Sequence, residues 1–273
     1  MENHKLTFER KDAIGVVTLA NPPVNALDEQ LIAEMEQLFG NDGCNDGCND
    51  RRSDEQTPFT NLRALIITGA GEKFFMAGAD ITAFPALNGE TGLPFVKRRT
   101  DLYDQIAALP LPVICAVNGL ALGAGLELAL ACDIRVFSTK AKVGLPETGL
   151  GIFPGAGGTQ RLPRLIGPGM AKWMIFSGAP ISAEEAYRVR LCDMLAEPGT
   201  VLECAMELAQ KIAENGPVAV AKAKQVIDQG LDLDIREAMA LENTFFSQLC
   251  DTRDKNEGAA AFMEKRKPVF EGK

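Results

Sequence analysis

Three short, almost unbroken apolar runs constrain this chain more than any other feature. Residues 64–68 (Ala64, Leu65, Ile66, Ile67, Thr68), 113–117 (Val113, Ile114, Cys115, Ala116, Val117) and 134–137 (Ile134, Arg135, Val136, Phe137) each read as a strand. A strand without polar alternation is buried on both faces, as in a parallel sheet covered by helices. Each run leads into a Gly-rich segment, and helices are expected around 95–108 and 126–131. Strand, crossover, next strand is a series of β-α-β units, so the chain is of the α/β class.

The flanks carry different signals. Residues 5–20 read as two strands meeting at a turn, and Asn21, Pro22 and Pro23 break the pattern. Asp28 is placed to cap a helix whose apolar positions are Leu31, Ile32, Met35, Leu38 and Phe39. Residues 41–60 hold a tandem Asn-Asp-Gly-Cys repeat (41–44 and 45–48) and a charged run, and they read as a loop insertion. Metal binding by Cys44 and Cys48 is opposed by their CxxxC spacing and the lack of a second ligand pair. After about residue 170 the strand signal stops. Ser182 with Glu185 forms a capping-box pattern, and helices are expected at 201–214, 217–229 and 234–249. The expected organisation is a core over 1–196 and a helical region over 197–273.

Composition removes several chemistries. The only histidine of the 273 residues is His4, in a polar terminus, so Ser-His-Asp and Cys-His catalysis and His-ligated metal are not expected. The net charge of -9 argues against nucleic acid as a partner, since phosphate neutralisation needs clustered Lys and Arg. Met1 to Arg10 lacks the apolar stretch of a leader, and no apolar segment is long enough to cross a bilayer. Seven cysteines, an odd number and mostly in apolar segments, fit a cytoplasmic setting. Carboxylates, backbone amides and lysines remain as the chemical repertoire.

Two Gly-rich segments stand at strand ends, where α/β proteins bind ligands. One runs from Phe74 to Ile81. The other runs from Asn118 to Glu127, between a buried strand and a helix, and a Gly-rich helix entry exposes unpaired N–H groups. It is a poor dinucleotide fingerprint, because Leu128 stands where the third Gly of GxGxxG belongs. Its amides suit an oxyanion better. Glu127 lies in an otherwise Leu, Ala and Gly helix, and Glu147 follows Leu145 and Pro146 in a second apolar segment. Read locally, each is equally a structural glutamate, paired or exposed. If both face one ligand, they form an acid and a base whose environments push their pKa values apart.

Three segments together resemble the crotonase superfamily, in its order and spacing. They are Met76-Ala77-Gly78-Ala79-Asp80-Ile81, residues 116–133, and residues 146–161 with Phe153-Pro154-Gly155-Ala156-Gly157-Gly158-Thr159-Gln160. The ending Ala261-Phe262-Met263-Glu264-Lys265-Arg266-Lys267 is also similar to that family's C-terminus. The resemblance spans nearly the whole chain except about 41–60. It implies a spiral of ββα turns followed by an α-helical trimerisation region, in a trimer or dimer of trimers. It implies an acyl-CoA thioester substrate, no separate cofactor and no metal. The N–H groups of Ala79 and Ala124 would form the oxyanion hole, and Glu127 and Glu147 would be the catalytic pair of the enoyl-CoA hydratase branch. CoA would lie along Ala77, Gly78, Asp80 and Ile81, with Phe262 and Lys265 supplied by a neighbouring subunit. Two departures stand out: Ala124 where many relatives have Gly, and Thr82 where some have a CoA-holding Lys. Isomerisation of an enoyl-CoA, hydration of a branched substrate of the methylglutaconyl-CoA type, and a non-catalytic binding role are the alternatives.

Overall fold

The computed structural model describes residues 4–40, 57–82 and 84–273, so the repeat at 41–48 and most of the expected 41–60 insertion lie outside the described residues. An antiparallel hairpin, β1 (Leu6–Lys11) and β2 (Ile14–Leu19), opens the chain, and α1 (Glu29–Phe39) follows. Then come β3 (Ala64–Gly69), β4 (Phe74–Ala77), α2 (Gly89–Ala107), β5 (Val113–Val117), β6 (Leu120–Leu122) and α3 (Ala124–Ala131). Next are β7 (Ile134–Ser138), β8 (Lys142–Gly144), α4 (Gly158–Ile166), α5 (Pro168–Ser177), β9 (Ile181–Ser182), α6 (Ala183–Arg188) and β10 (Met194–Ala196). Four helices close the chain: α7 (Val201–Ala213), α8 (Pro217–Gly230), α9 (Ile235–Leu249) and α10 (Arg253–Glu264).

The strands form two sheets. The larger runs β1-β2-β3-β5-β7-β10 and is parallel from β2 onward. Its alternate side chains enter two cores. Leu65, Ile67, Val113, Cys115 and Val117 join the main core with α1, α2 and α3. Ile66, Ile114, Ala116 and Val136 face the other way and pack against Val201, Ala205 and Ala209 of α7. Burial on both faces is why these strands carry continuous apolar runs.

The smaller sheet, β4-β6-β8-β9, is the architectural finding that residue patterns alone did not reveal. Segments expected as Gly-rich turns contain strands of three and four residues, too short to show a period. They give each unit the second strand that the crotonase resemblance implies, and the fold is of that α/β type. Two expectations need correction. Strands do continue past residue 170, as β9 and β10, because β8 and β7 offer them free edges. The helix expected from residue 95 starts at Gly89, because Asn88 and Thr91 form a reciprocal capping box one and a half turns earlier.

The C-terminal helices divide into two kinds. α7 covers the large sheet and is packed as part of it, whereas α8 and α9 contain no buried residue. Among the described residues, no helix is long and apolar enough to cross a membrane.

The cap at α1 is tied to its surroundings at several points. Asp28 Oδ1 accepts from the N–H of Leu31 at 2.9 Å, and Oδ2 takes Asn21 Nδ2 at 3.0 Å and the Lys5 ammonium. Asp28→Ala is expected to lower stability by about 1–2 kcal/mol, the usual loss for an N-cap, which urea unfolding would measure.

Candidate active site

Parallel pairing of β4 with β6 and of β6 with β8 sets three strand ends side by side. Ala77 pairs with Leu122, and Leu122 with Gly144. The residues that follow those ends are Gly78 and Ala79, Gly123 and Ala124, and Leu145 to Glu147. Three of the four residues expected to carry chemistry are thus delivered by adjacent strands, and Glu127 follows one helical turn behind Ala124.

Two amides are left without partners. The loop after β4 is held by a bridge in which Leu27 N–H donates to Gly78 C=O and Asp80 N–H to Leu27 C=O, both at 2.9 Å. That pattern skips the Ala79 N–H. Ala124 is the first residue of α3, where an N–H has no intrahelical acceptor. Among the described residues neither amide donates to the chain, and helix polarity favours negative charge beside Ala124.

Glu127 is 3% exposed and fixed from one side. Its Oε1 accepts from the N–H groups of Ala156 at 2.8 Å and Gly158 at 2.9 Å, just ahead of and at the start of α4. Burial pushes its pKa above the ordinary carboxylate range, while the Gly158 and Ala156 amides and the Arg161 guanidinium pull it back. Gly158 is required by packing, because a Cβ there would lie 3.0 Å from Glu127 Oε1 and 2.7 Å from Pro154 Cβ.

Glu147 sits in a 3-10 turn, Pro146–Leu150, that Thr148 ties down by donating its hydroxyl to Ile175 C=O at 2.7 Å. Its Oε2 is buried and makes no hydrogen bond to any described residue. Burial raises its pKa to about 7, opposed by its own backbone amide and reinforced by the charge of Glu127. The two carboxyl groups thus have unlike surroundings, and the charge of Glu127 is felt at Glu147. Gly123 separates them: its C=O accepts from Glu127 N–H at 2.9 Å, and a Cβ on it would lie 2.8 Å from Glu147 Oε1. With φ at 51°, this position also suits a residue without a side chain.

The remaining expected positions are dispersed. Ala77 ends β4, Gly78 and Asp80 flank the Ala79 amide, and Ile81 is 47% exposed beside them. Asp80 Oδ1 accepts from Thr82 N–H at 2.9 Å. Phe262 and Lys265 are not brought to this loop within the chain. Phe262 is 86% exposed on α10, Lys265 caps that helix, and among the described residues no hydrogen bond or ion pair joins either to 77–81. Also among the described residues, no group of three or more His, Cys, Asp or Glu side chains is placed to hold a metal ion. Residue patterns missed the Ala156 and Gly158 donors and Arg161. The small-residue run 155–158 was the signal for the first two, but nothing in it names their acceptor.

Comparison with known proteins finds relatives along nearly the whole chain. A family model described as enoyl-CoA hydratase/isomerase matches residues 9–273. A short-chain-enoyl-CoA hydratase of Clostridium acetobutylicum is 41% identical over 98% of this chain and 97% of its own. A mouse mitochondrial methylglutaconyl-CoA hydratase is 43% identical over 77% of this chain and 68% of its own. A crystal structure of enoyl-CoA hydratase from Bacillus anthracis superposes with a TM-score of 0.89 at 38% identity, covering 99% of this chain and 100% of that one.

The raised pKa of Glu147 makes a stability prediction that needs no substrate. Between about 4.5 and about 7 the folded chain holds a proton that the unfolded chain has released, so stability falls as pH rises through that window. Glu147→Gln removes this loss. Its melting temperature relative to the parent protein is expected to climb from pH 4.5 to pH 7 and then level off, as read by scanning calorimetry across a buffer series.

Proposed function

This chain belongs to the enoyl-CoA hydratase/isomerase family, and we propose that it is an enoyl-CoA hydratase acting through Glu127 and Glu147. The reaction is reversible syn addition of water to a 2-trans-enoyl-CoA, giving a 3-hydroxyacyl-CoA. One observation carries this reading: buried Glu127, held by two amides, and half-buried Glu147, with one buried oxygen unpartnered among the described residues, stand in unlike surroundings near the Ala79 and Ala124 amides.

The thioester carbonyl oxygen lies between the N–H groups of Ala79 and Ala124, which stabilise the negative charge that develops as the enolate forms. One water lies between the carboxylates. Glu127, whose charged form two amide donors and the nearby Arg161 favour against its burial, takes a proton as the water oxygen attacks Cβ. Glu147, which carries its proton below about 7, delivers it to Cα. Both act from one face, hence the syn outcome. No separate cofactor enters this scheme, since coenzyme A is part of the substrate.

CoA runs along Ala77, Gly78, Asp80 and Ile81. In this reading Phe262 and Lys265 come from a neighbouring subunit, which fits the lack, among the described residues, of any hydrogen bond or ion pair from either to that loop within one chain. Exposed Ile227, Leu231, Ile235, Met239 and Phe246 on and between α8 and α9 support a homo-oligomer, a trimer or a dimer of trimers. The cytoplasm is the proposed location and β-oxidation of acyl-CoA the proposed setting. A second reading, hydration of a branched methylglutaconyl-type thioester, is favoured by the 43% identity to the mouse enzyme.

Three assays test this. Glu127→Gln and Glu147→Gln are each expected to slow hydration of crotonyl-CoA by about 10²–10⁴, the range for loss of a positioned acid or base; near-normal rates in either variant remove that residue from the scheme. The hydration rate is expected to fall as pH rises through about 7, where Glu147 loses the proton it must deliver. A panel of straight 2-enoyl, branched 2-enoyl and 3-enoyl thioesters separates the straight-chain hydratase from the branched one and from an isomerase. Preferred turnover of the 3-enoyl compound would overturn the proposal.

A further inference from the structure

One face of α2 grips the site at three points. Thr100, Tyr103 and Asp104 follow the i, i+3, i+4 spacing that lines up side chains on a helix. Thr100 Oγ1 shares its proton between Val96 C=O of its own helix at 3.2 Å and Gly155 C=O at 3.3 Å, the latter in the segment that supplies the donors of Glu127. Asp104 Oδ1 accepts from Arg161 Nη2 at 2.6 Å, and Arg161 Nη1 reaches Ala156 C=O at 3.5 Å. Tyr103, fully buried, donates its hydroxyl to Ala124 C=O at 2.8 Å.

The Tyr103 bond does something that packing alone would not require. Ala124 C=O lies in the first turn of α3, where it already serves as acceptor to the N–H four residues on. The hydroxyl occupies the second lone pair, so helix accounting does not call for it. A Phe would fill the same volume. What the hydroxyl adds is orientation of the peptide that follows the Ala124 amide, in the turn that leads to Glu127. Tyr103 also stays a donor: burial, and then the charge of Glu127, raise its pKa well above the usual phenol range, against the opposing charges of Arg99 and Arg161.

We propose that Tyr103 is a positioning residue of the oxyanion hole, holding the first turn of α3 so that the Ala124 amide and Glu127 keep their places relative to Glu147. This rests on the hydratase reading given above. The hydroxyl does not meet the substrate; it acts through Ala124. Misplacement matters because a shift of about 1 Å in a reacting geometry can cost as much as ~10² in rate.

The test is Tyr103→Phe, measured in two independent ways on the full-length protein. On crotonyl-CoA, kcat is expected to drop about tenfold with KM within about twofold, the pattern of an interaction that matters in the transition state. In hydrogen–deuterium exchange without substrate, the peptide covering 119–131 is expected to lose protection while the strands of the large sheet keep it. Parental kcat overturns the proposal, whatever happens to the melting temperature. So does parental protection over 119–131. A loss of protection spread evenly over the molecule also overturns it, since that would make the bond a general stabiliser. Should the parent protein hydrate no enoyl-CoA at all, the functional reading fails by itself, and the exchange measurement still decides whether Tyr103 orders α3.

Discussion

The pairing of three very short strands, β4, β6 and β8, is the constraint on which the rest of this molecule depends. Parallel register sets their C-terminal ends in a row, and the residues just beyond them are the two amides and one of the two carboxylates. A backbone ladder fixes such positions more tightly than long loops do. The large sheet, with a core on each face, is the platform on which the small sheet stands. Helix α3 then adds the second carboxylate one turn into its length.

Placing two acids in an apolar interior is expensive unless each is satisfied or used. The chain treats the two differently. Glu127 gets two amide donors and a guanidinium within electrostatic reach, which support the charged form. Glu147 keeps one buried oxygen with no partner among the described residues and is drawn toward neutrality. Unlike surroundings for like groups are what a division into base and acid needs. The close approach of Gly123 and Gly158 to these carboxylates shows how tightly the arrangement is packed.

Much of this was legible in the sequence, and the limits have physical causes. β3, β5 and β7 announced themselves because burial on both faces removes polar alternation, and α1 because Asp28 and its apolar spacing agree. β6, β8 and β9 did not, since two or three residues cannot display a period. Glu127 and Glu147 were visible as charges in apolar company. Their convergence was not, because it comes from strand register between segments twenty residues apart, which no local pattern encodes. Tyr103 was hidden for the opposite reason: on an amphipathic helix it looks like one more core side chain, and its hydroxyl acquires a role only once α3 lies against α2.

The position of Glu147 on the pH scale has a consequence for direction. In the proposed mechanism hydration needs this group carrying its proton, and the reverse dehydration needs it bare. A carboxyl poised at about 7 offers the two forms in comparable amounts near neutrality. Both forms are thus at hand near neutrality without a change of conditions, while the ratio of substrate to product sets the net direction, as it does for any catalyst.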